Sequence, residues 1–308
     1  MPPLALIAGP TASGKSQCAI DLALALIAKG RKAVVINADS AQVYRDLAVL
    51  SARPTALDMR GIKHRLFGEQ DGGQVYSAAV WAAAARRIIL PAVLDHDTVP
   101  ILVGGSGLYI RALLDGIAPI PRIEPAIRDE VRALSVAQAY TALTNRDPPA
   151  AQRFHPNDAA RIYRALEVER STGYSINYWQ SIRRHRLADE VAIHAAILLP
   201  DRDALYERCD QRFAAMLERG AIPEVEALLA RNLDPALPVM RAIGVREIAG
   251  YLRGEWSLAE AEAMATQATR NYAKRQYTWF RRQPPAHWPR IESFNIDLGD
   301  HFEILLRK

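Results

Sequence analysis

This chain predicts an α/β fold, a parallel sheet flanked by helices with a helical insertion set into it. Three observations carry that prediction. Short apolar runs alternate with helical spacing through the first third of the chain and return near residue 191. The first run opens into a glycine-rich loop and then a helix, the arrangement of phosphate-binding α/β proteins. The stretch 117–190 has helical signals but no convincing strand, so it interrupts the sheet and does not extend it.

In order, Leu4-Ala5-Leu6-Ile7 has the length and apolarity of a buried strand. It runs into Gly9-Pro10-Thr11-Ala12-Ser13-Gly14-Lys15-Ser16, which fits G-x-x-x-x-G-K-S/T, and residues 17–28 follow with Ala and Leu at helical spacing. Strand, loop and helix in that order predict a P-loop NTPase-like core. Lys32-Ala33-Val34-Val35-Ile36-Asn37 reads as a second strand ending at Asp39, and 77–95 as an alanine-rich helix carrying Trp81, Arg86 and Arg87. Val99-Pro100-Ile101-Leu102-Val103 is a third strand, leading into Gly104-Gly105-Ser106-Gly107 and a helix through residue 114. Ligands of parallel sheets gather at the carboxyl ends of the strands, so Gly9, Asp39 and Gly104 are expected to converge on one crevice.

Ala118-Pro119-Ile120-Pro121-Arg122 is a proline-punctuated linker into the insertion. Residues 191–199 restore an apolar strand, and 203–218 read as the helix after it. The last helix, 257–283, opens on Ser257 with Glu260 three residues later, a capping box. The expected organisation is one core from 1–116 and 191–308, ending in C-terminal helices, with a helical domain over 117–190.

Half of the 308 residues are hydrophobic, 24% are charged and the net charge is +5. That is the composition of a soluble globular protein with a sizeable core and a leaning toward an anionic partner. Cys18 and Cys209 are its two cysteines, which excludes a disulfide framework and a Cys-rich zinc module. No apolar run approaches the length of a membrane span. The first strand begins almost at residue 1, so no signal or transit peptide is expected. The chain therefore reads as cytoplasmic, without zinc and without a membrane partner.

The glycines of the loop let backbone N–H groups approach phosphate oxygens, Lys15 adds a full positive charge, and the Ser16 hydroxyl can ligate Mg²⁺. A di- or triphosphate is implied, with ATP and other nucleotides left open. Asp39 has three readings: an indirect Mg²⁺ ligand, a general base for an incoming nucleophile, or the cap of a following helix. Arg208 and Arg212 lie one helical turn apart on the helix after the fourth strand, and either can neutralise a diphosphate if that helix points at the loop.

The C-terminal helix carries a nucleic-acid signal. No carboxylate falls between Glu262 and Glu292, whereas Arg270, Lys274, Arg275, Arg281, Arg282 and Arg290 do. Arg270, Lys274, Tyr277 and Arg281 are spaced to share one face, and Tyr272, Gln276 and Trp279 another. Such a face neutralises phosphates beside rings that can stack on unpaired bases; the competing reading makes Tyr272, Trp279 and Phe280 core residues. The seven histidines show no metal-ligand spacing, and His64 and His155 read as structural or RNA-contact residues.

Several of these motifs together resemble one family, the tRNA dimethylallyltransferases (tRNA isopentenyltransferases), in its bacterial form. The resemblance rests on the phosphate loop, on Asp39-Ser40-Ala41-Gln42-Val43-Tyr44 and on Leu102-Val103-Gly104-Gly105-Ser106-Gly107-Leu108-Tyr109. It rests further on His155-Pro156-Asn157-Asp158 with Arg161, Arg164, Ala165, Leu166 and Glu167, on Ala242-Ile243-Gly244-Val245-Arg246-Glu247, and on Lys274-Arg275-Gln276-Tyr277-Thr278-Trp279-Phe280-Arg281. Ser16 and Ser106 stand where the family usually has Thr, Ala41 where Met is frequent and Val245 where an aromatic is common.

The resemblance implies transfer of a dimethylallyl group from dimethylallyl diphosphate to N6 of adenosine 37, beside the tRNA anticodon. The phosphate loop would hold a diphosphate leaving group, with Lys15, Mg²⁺ on Ser16 and Arg212 stabilising its charge. Thr11 would donate to the bridging oxygen, and Asp39 would accept a proton from the adenine amine. Contacts to tRNA are implied at Asp39, Ser40, Ala41 and Gln42, which would meet a flipped adenine, and at Ser106. Others are implied at Ala160, Arg161, Ile162, Tyr163 and Arg164, at Ala242, Ile243, Gly244, Val245, Arg246 and Glu247, and at Lys274, Arg275, Gln276, Tyr277, Thr278, Trp279, Phe280 and Arg281. The insertion would grip the anticodon stem-loop, and the enzyme is expected to be a monomer. Two other readings start from the same loop: a P-loop kinase of a small metabolite, and a nucleotide-gated RNA-binding switch without catalysis.

Overall fold

The computed structural model describes all residues except Arg183, Asn295 and Lys308. They form two compact units, Met1–Leu113 with Leu187–Lys308, and Leu114–Arg186.

The larger unit is built on a six-stranded sheet. Its strands are β1 (Pro3–Ala8), β2 (Lys32–Asn37), β3 (Lys63–Arg65), β4 (Thr98–Gly104), β5 (Ala192–Leu198) and β6 (Arg290–Ile291). Their order is β3-β2-β4-β1-β5-β6, and every pairing is parallel. Leu4 to Ala8 are all buried, because a central parallel strand is covered on both faces, which is why it reads as an unbroken apolar run. Around the sheet lie α1 (Lys15–Ala28), α2 (Ala56–Met59), α3 (Ala78–Leu94) and α4 (Gly107–Leu114).

The smaller unit holds α5 (Pro125–Ala133), α6 (Val136–Arg146), α7 (Pro148–Ala151), α8 (Ala159–Thr172) and α9 (Ile176–Ser181). Ser135 caps α6 with a capping box and Asp158 caps α8. Val131, Leu143, Ile162, Leu166 and Val168 form a core of its own. Glu167 is buried there, and its carboxylate is held by Arg132 at 3.0 Å and Arg164 at 3.7 Å.

The chain returns to the larger unit through β5 and ends in α10 (Arg202–Glu218), α11 (Ala221–Ala230), α12 (Val245–Leu252), α13 (Leu258–Arg282) and α14 (Leu298–Leu306). The parallel sheet is the one expected, but several elements go beyond the sequence reading, among them α2, α11, α12, β3, β6 and α14. β3 and β6 are short edge strands of polar or mixed residues, so they present no apolar run. α14 packs Phe302 and Leu305 into the cluster around Leu22 and Leu26. The expected P-loop helix also starts two residues early, at Lys15. Gly14 caps it at φ 88°, a left-handed conformation that glycine adopts at little cost.

Candidate active site

The phosphate loop sits at the carboxyl end of β1, as the parallel sheet requires. Its turn is set by two left-handed residues, Ala12 at φ 63° and Gly14 at φ 88°. Successive N–H groups in such a turn form a concavity suited to an anion. The Ser13 hydroxyl is fully buried and has no hydrogen-bond partner among the described residues, so a bonding capacity is left open inside the loop. A Cβ on Gly9 would lie 2.5 Å from the Leu198 carbonyl oxygen, so the loop lies tight against the end of β5.

Lys15 is buried, and its Nζ donates to the Pro10 carbonyl at 3.1 Å. Burial, opposed by the Asp39 charge and helped by that of Arg212, brings its pKa down to about 8. Lys15 is thus a cation held in a dry place, stabilised when an anion arrives.

Arg212 projects from α10 to the loop. Its guanidinium donates to Thr11 Oγ1 at 2.9 Å and to the Ser51 carbonyl at 3.3 Å. Because the Thr11 oxygen accepts from Arg212, its own O–H is left to donate elsewhere. Arg208, the other arginine on that helix, is exposed and lies over the Phe294 ring at 4.1 Å. Of the two, Arg212 takes the place beside the loop.

Asp39 ends β2. Its Oδ1 accepts the Ala41 N–H at 2.9 Å, and its own N–H donates to Asn37 Oδ1 at 2.8 Å. No helix follows, so the helix-cap reading of Asp39 is replaced by an Asx turn. The turn anchors one carboxylate oxygen; no other hydrogen bond reaches Oδ2 among the described residues. Ser106, at the end of β4, is buried and accepts the Ser40 N–H at 2.8 Å, which ties the Asp39 turn to the glycine strand end. A Cβ on Gly104 would fall 2.2 Å from the Ala38 carbonyl, so only glycine lets these strand ends approach so closely.

These groups open on a cavity of 480 Å³. Its lining combines polar groups, among them Thr11, Asp39, Ser51, Arg212 and Arg275, with apolar Leu47, Leu50, Phe213, Met216 and Ile243 and aromatic Tyr44, Tyr76, Tyr109 and Tyr272. Burial, reinforced by the Asp39 charge, pushes the Tyr272 hydroxyl up to about 12. Tyr109 stacks on the buried Trp81 at 4.6 Å between centroids.

Residues 42–283 match the family model described as IPP transferase. The chain belongs to that family. The tRNA dimethylallyltransferase of Erythrobacter litoralis is 60% identical over 99% of this chain and 96% of its own. That of Sphingopyxis alaskensis is 58% identical, covering 99% and 98%. Among solved structures, the full-length tRNA isopentenylpyrophosphate transferase of Bacillus halodurans superposes with a TM-score of 0.68 at 32% identity, over 99% of this chain and 95% of that one. A eukaryotic dimethylallyltransferase described as acting on tRNA gives 0.75 at 26% identity, over 91% and 70%.

Within this family member the expected tRNA-contact residues divide by burial. Lys274, Arg275, Arg281 and Arg246 are exposed, and Arg275, Ala242 and Ile243 line the cavity. In the helical unit Ala160 and Arg161 are exposed, Arg161 pairing with Asp158 at 2.5 Å; Arg164 holds Glu167, and the Tyr163 hydroxyl donates to the Leu134 carbonyl at 2.8 Å.

Five expected contacts need correction. Ile162, Val245 and Phe280 are core side chains, at 0%, 1% and 1% exposure, so their side chains cannot touch RNA. Gln276 is also buried and points into the protein: its Oε1 accepts the Thr11 N–H at 2.8 Å and its Nε2 donates to the Gly105 carbonyl at 2.8 Å. It braces the phosphate loop against the β4 strand end. Gln42 is likewise turned inward, its Nε2 donating to the Ser51 and Ala52 carbonyls, each at 3.0 Å. Tyr277 is half-buried, its hydroxyl on the Leu199 carbonyl at 3.2 Å and its ring under Arg202. Arg270 is drawn off to Asp210. Trp279 packs over Gly107, Thr278 bonds back to the Lys274 carbonyl at 2.9 Å, and His64 bonds the Ile62 carbonyl at 2.8 Å, a structural role.

The sequence reading missed the cavity walls. One signal was available: Cys209, Arg212, Phe213 and Met216 follow helical spacing, and all four line the cavity. The tyrosines come from separate segments and carried no such pattern.

Proposed function

We propose that this enzyme transfers a dimethylallyl group from dimethylallyl diphosphate to N6 of adenosine 37 in tRNAs that read codons beginning with U. The products are N6-(dimethylallyl)adenosine and diphosphate. One observation carries the reading: the phosphate-loop Thr11, Arg212 and Asp39 line one cavity together with apolar and aromatic side chains and a further cation, Arg275. That combination suits a diphosphate with a short hydrocarbon tail and an unstacked base.

In this mechanism N6 attacks C1 of the dimethylallyl group as the C1–O bond breaks, and the electron pair leaves with the diphosphate. Lys15, Arg212 and the loop N–H groups bind that growing charge, and the free O–H of Thr11 donates to the bridging oxygen. Oδ2 of Asp39 accepts the amine proton. Asp39 to Ala41 would meet the adenine, with the exposed cations of α13 and α12 and the exposed face of α8 on the tRNA backbone. The unpartnered Ser13 hydroxyl and the exposed Ser16 fit a loop completed by a diphosphate and its metal. Mg²⁺ would be held by the Ser16 hydroxyl and diphosphate oxygens, and when bound it neutralises leaving-group charge. No helix among the described residues is long and apolar enough to cross a membrane; we place the enzyme in the cytoplasm with its tRNA, as a monomer without zinc.

The test is direct. Incubation with dimethylallyl diphosphate, Mg²⁺ and unmodified tRNA, followed by nuclease digestion, should yield N6-prenylated adenosine. Product absent from every tRNA that reads codons beginning with U overturns the proposal, and so does ATP-dependent phosphorylation of a small acceptor.

A further inference from the structure

Glu224, on α11, has no part in the chemistry above, yet it makes a concentrated set of bonds. Its Oε1 accepts the N–H groups of Ala48 and Val49 at 2.6 and 2.7 Å, and its Oε2 accepts that of Leu50 at 2.9 Å. Three successive backbone N–H groups converging on one carboxylate make an anion concavity, here filled from within the protein. Charge-assisted bonds of this kind are stronger than neutral ones.

The turn held this way supplies two parts of the site. Leu47, Leu50 and Ser51 line the cavity. The Ser51 carbonyl, the next residue along, accepts the Arg212 guanidinium at 3.3 Å, and Arg212 in turn holds Thr11. The turn closes on itself as well, with the Ser51 hydroxyl on the Leu47 carbonyl at 2.6 Å and the Ala52 N–H on the Val49 carbonyl at 2.8 Å. The same helix ends near a second clamp, where Arg231 pairs with Asp46 and with Asp71. One end of the turn is thus tied at Asp46 and its middle at residues 48–50.

We propose that Glu224 is a positioning residue for the diphosphate end of the site. By holding residues 48–50 it fixes where the Ser51 carbonyl presents, and so where Arg212 stands relative to Thr11. The proposal rests on the reading above that Arg212 binds diphosphate. Its distinctive consequence is that Glu224 acts through Arg212, so the two must be energetically coupled.

Binding of inorganic diphosphate with Mg²⁺, measured by calorimetry on the full-length protein, reads that coupling. The proteins compared are wild type, Glu224→Ala, Arg212→Ala and the double variant. Glu224→Ala should weaken diphosphate binding about tenfold in the wild-type background and by less than about twofold when Arg212 is already gone. Affinity for tRNA should stay unchanged in Glu224→Ala. Glu224→Gln, which keeps one carbonyl acceptor, should fall between wild type and Glu224→Ala, and it serves as the test protein if Glu224→Ala does not fold. An equal penalty in both backgrounds means the carboxylate only stabilises the fold, and overturns the proposal. So does a folded Glu224 variant that binds diphosphate as wild type does. Wild-type protein that fails to bind diphosphate overturns the functional reading itself, and this inference with it.

Discussion

Asp39 and Lys15 are the two residues whose charge state the proposed chemistry depends on. Asp39 is held by an Asx turn with one oxygen left over, so Asp39→Ala removes the proton acceptor and leaves the phosphate loop untouched. We expect kcat to fall about 10²- to 10⁴-fold, while the Kd for tRNA moves by less than about threefold, because one carboxylate adds little to a phosphate-dominated affinity. Single-turnover prenylation and filter binding check the two halves. Lys15 makes the site pH-dependent. Diphosphate prefers the protonated amine, so affinity should be full below pH 8 and fall as pH rises through about 8. The effect on folding has the opposite sense. Between about 8 and 10.5 the folded protein holds fewer protons on Lys15 than the unfolded chain, so the stability contribution of this group rises with pH across that window. Lys15→Met should abolish both trends, read as diphosphate Kd and as urea midpoint against pH.

At the scale of elements, α13 does two jobs on two faces. Its outward face carries Lys274 and Arg281, and its inward face buries Ala273, Gln276 and Phe280. Gln276 is the link to the site, bonded to both Thr11 and Gly105. Gln276→Ala orphans a half-buried N–H and a buried carbonyl, and should cost about 1–3 kcal/mol of stability, measured by urea denaturation, with a rise in the KM for the prenyl donor. The strands β1, β2, β4 and β5 were legible in the sequence because a parallel interior strand is apolar on both faces. The P-loop was legible because its chemistry is local, a turn and a helix start within a few residues. β3 and β6 were not, since short strands at a sheet edge need no apolar run. The inward turn of Gln276 was not legible either: helical spacing groups residues on a face but does not say which face meets the core.

The molecule as a whole carries a net charge of +5, and its exposed cations make tRNA affinity a matter of salt. Lys274 and Arg281 are exposed, and no hydrogen bond or ion pair with another protein group involves either side chain among the described residues. The variant carrying Lys274→Ala and Arg281→Ala should bind tRNA more weakly at low salt and flatten the slope of log K against log salt by about 1.4. An unchanged slope would take both residues out of the RNA interface. The helical unit has its own core, from Ile123 to Ile176, so substitutions on its exposed Arg161 can be read for RNA binding without disturbing the sheet.

The sequence by itself determined that this protein has a parallel α/β core, a phosphate loop and a cationic C-terminal helix, because each is written in neighbouring residues or in a simple period. Helical spacing left Arg208 and Arg212 both open and the family resemblance pointed to Arg212; the tertiary structure decided that Arg212 bonds Thr11. It alone decided that Gln276 braces the loop where RNA contact was expected, and that tyrosines from four segments wall one cavity. Those are agreements between residues far apart in the chain. They are settled by which helix face the packed core accepts and by which strand ends glycine allows to meet, and neither is encoded in any short stretch of residues.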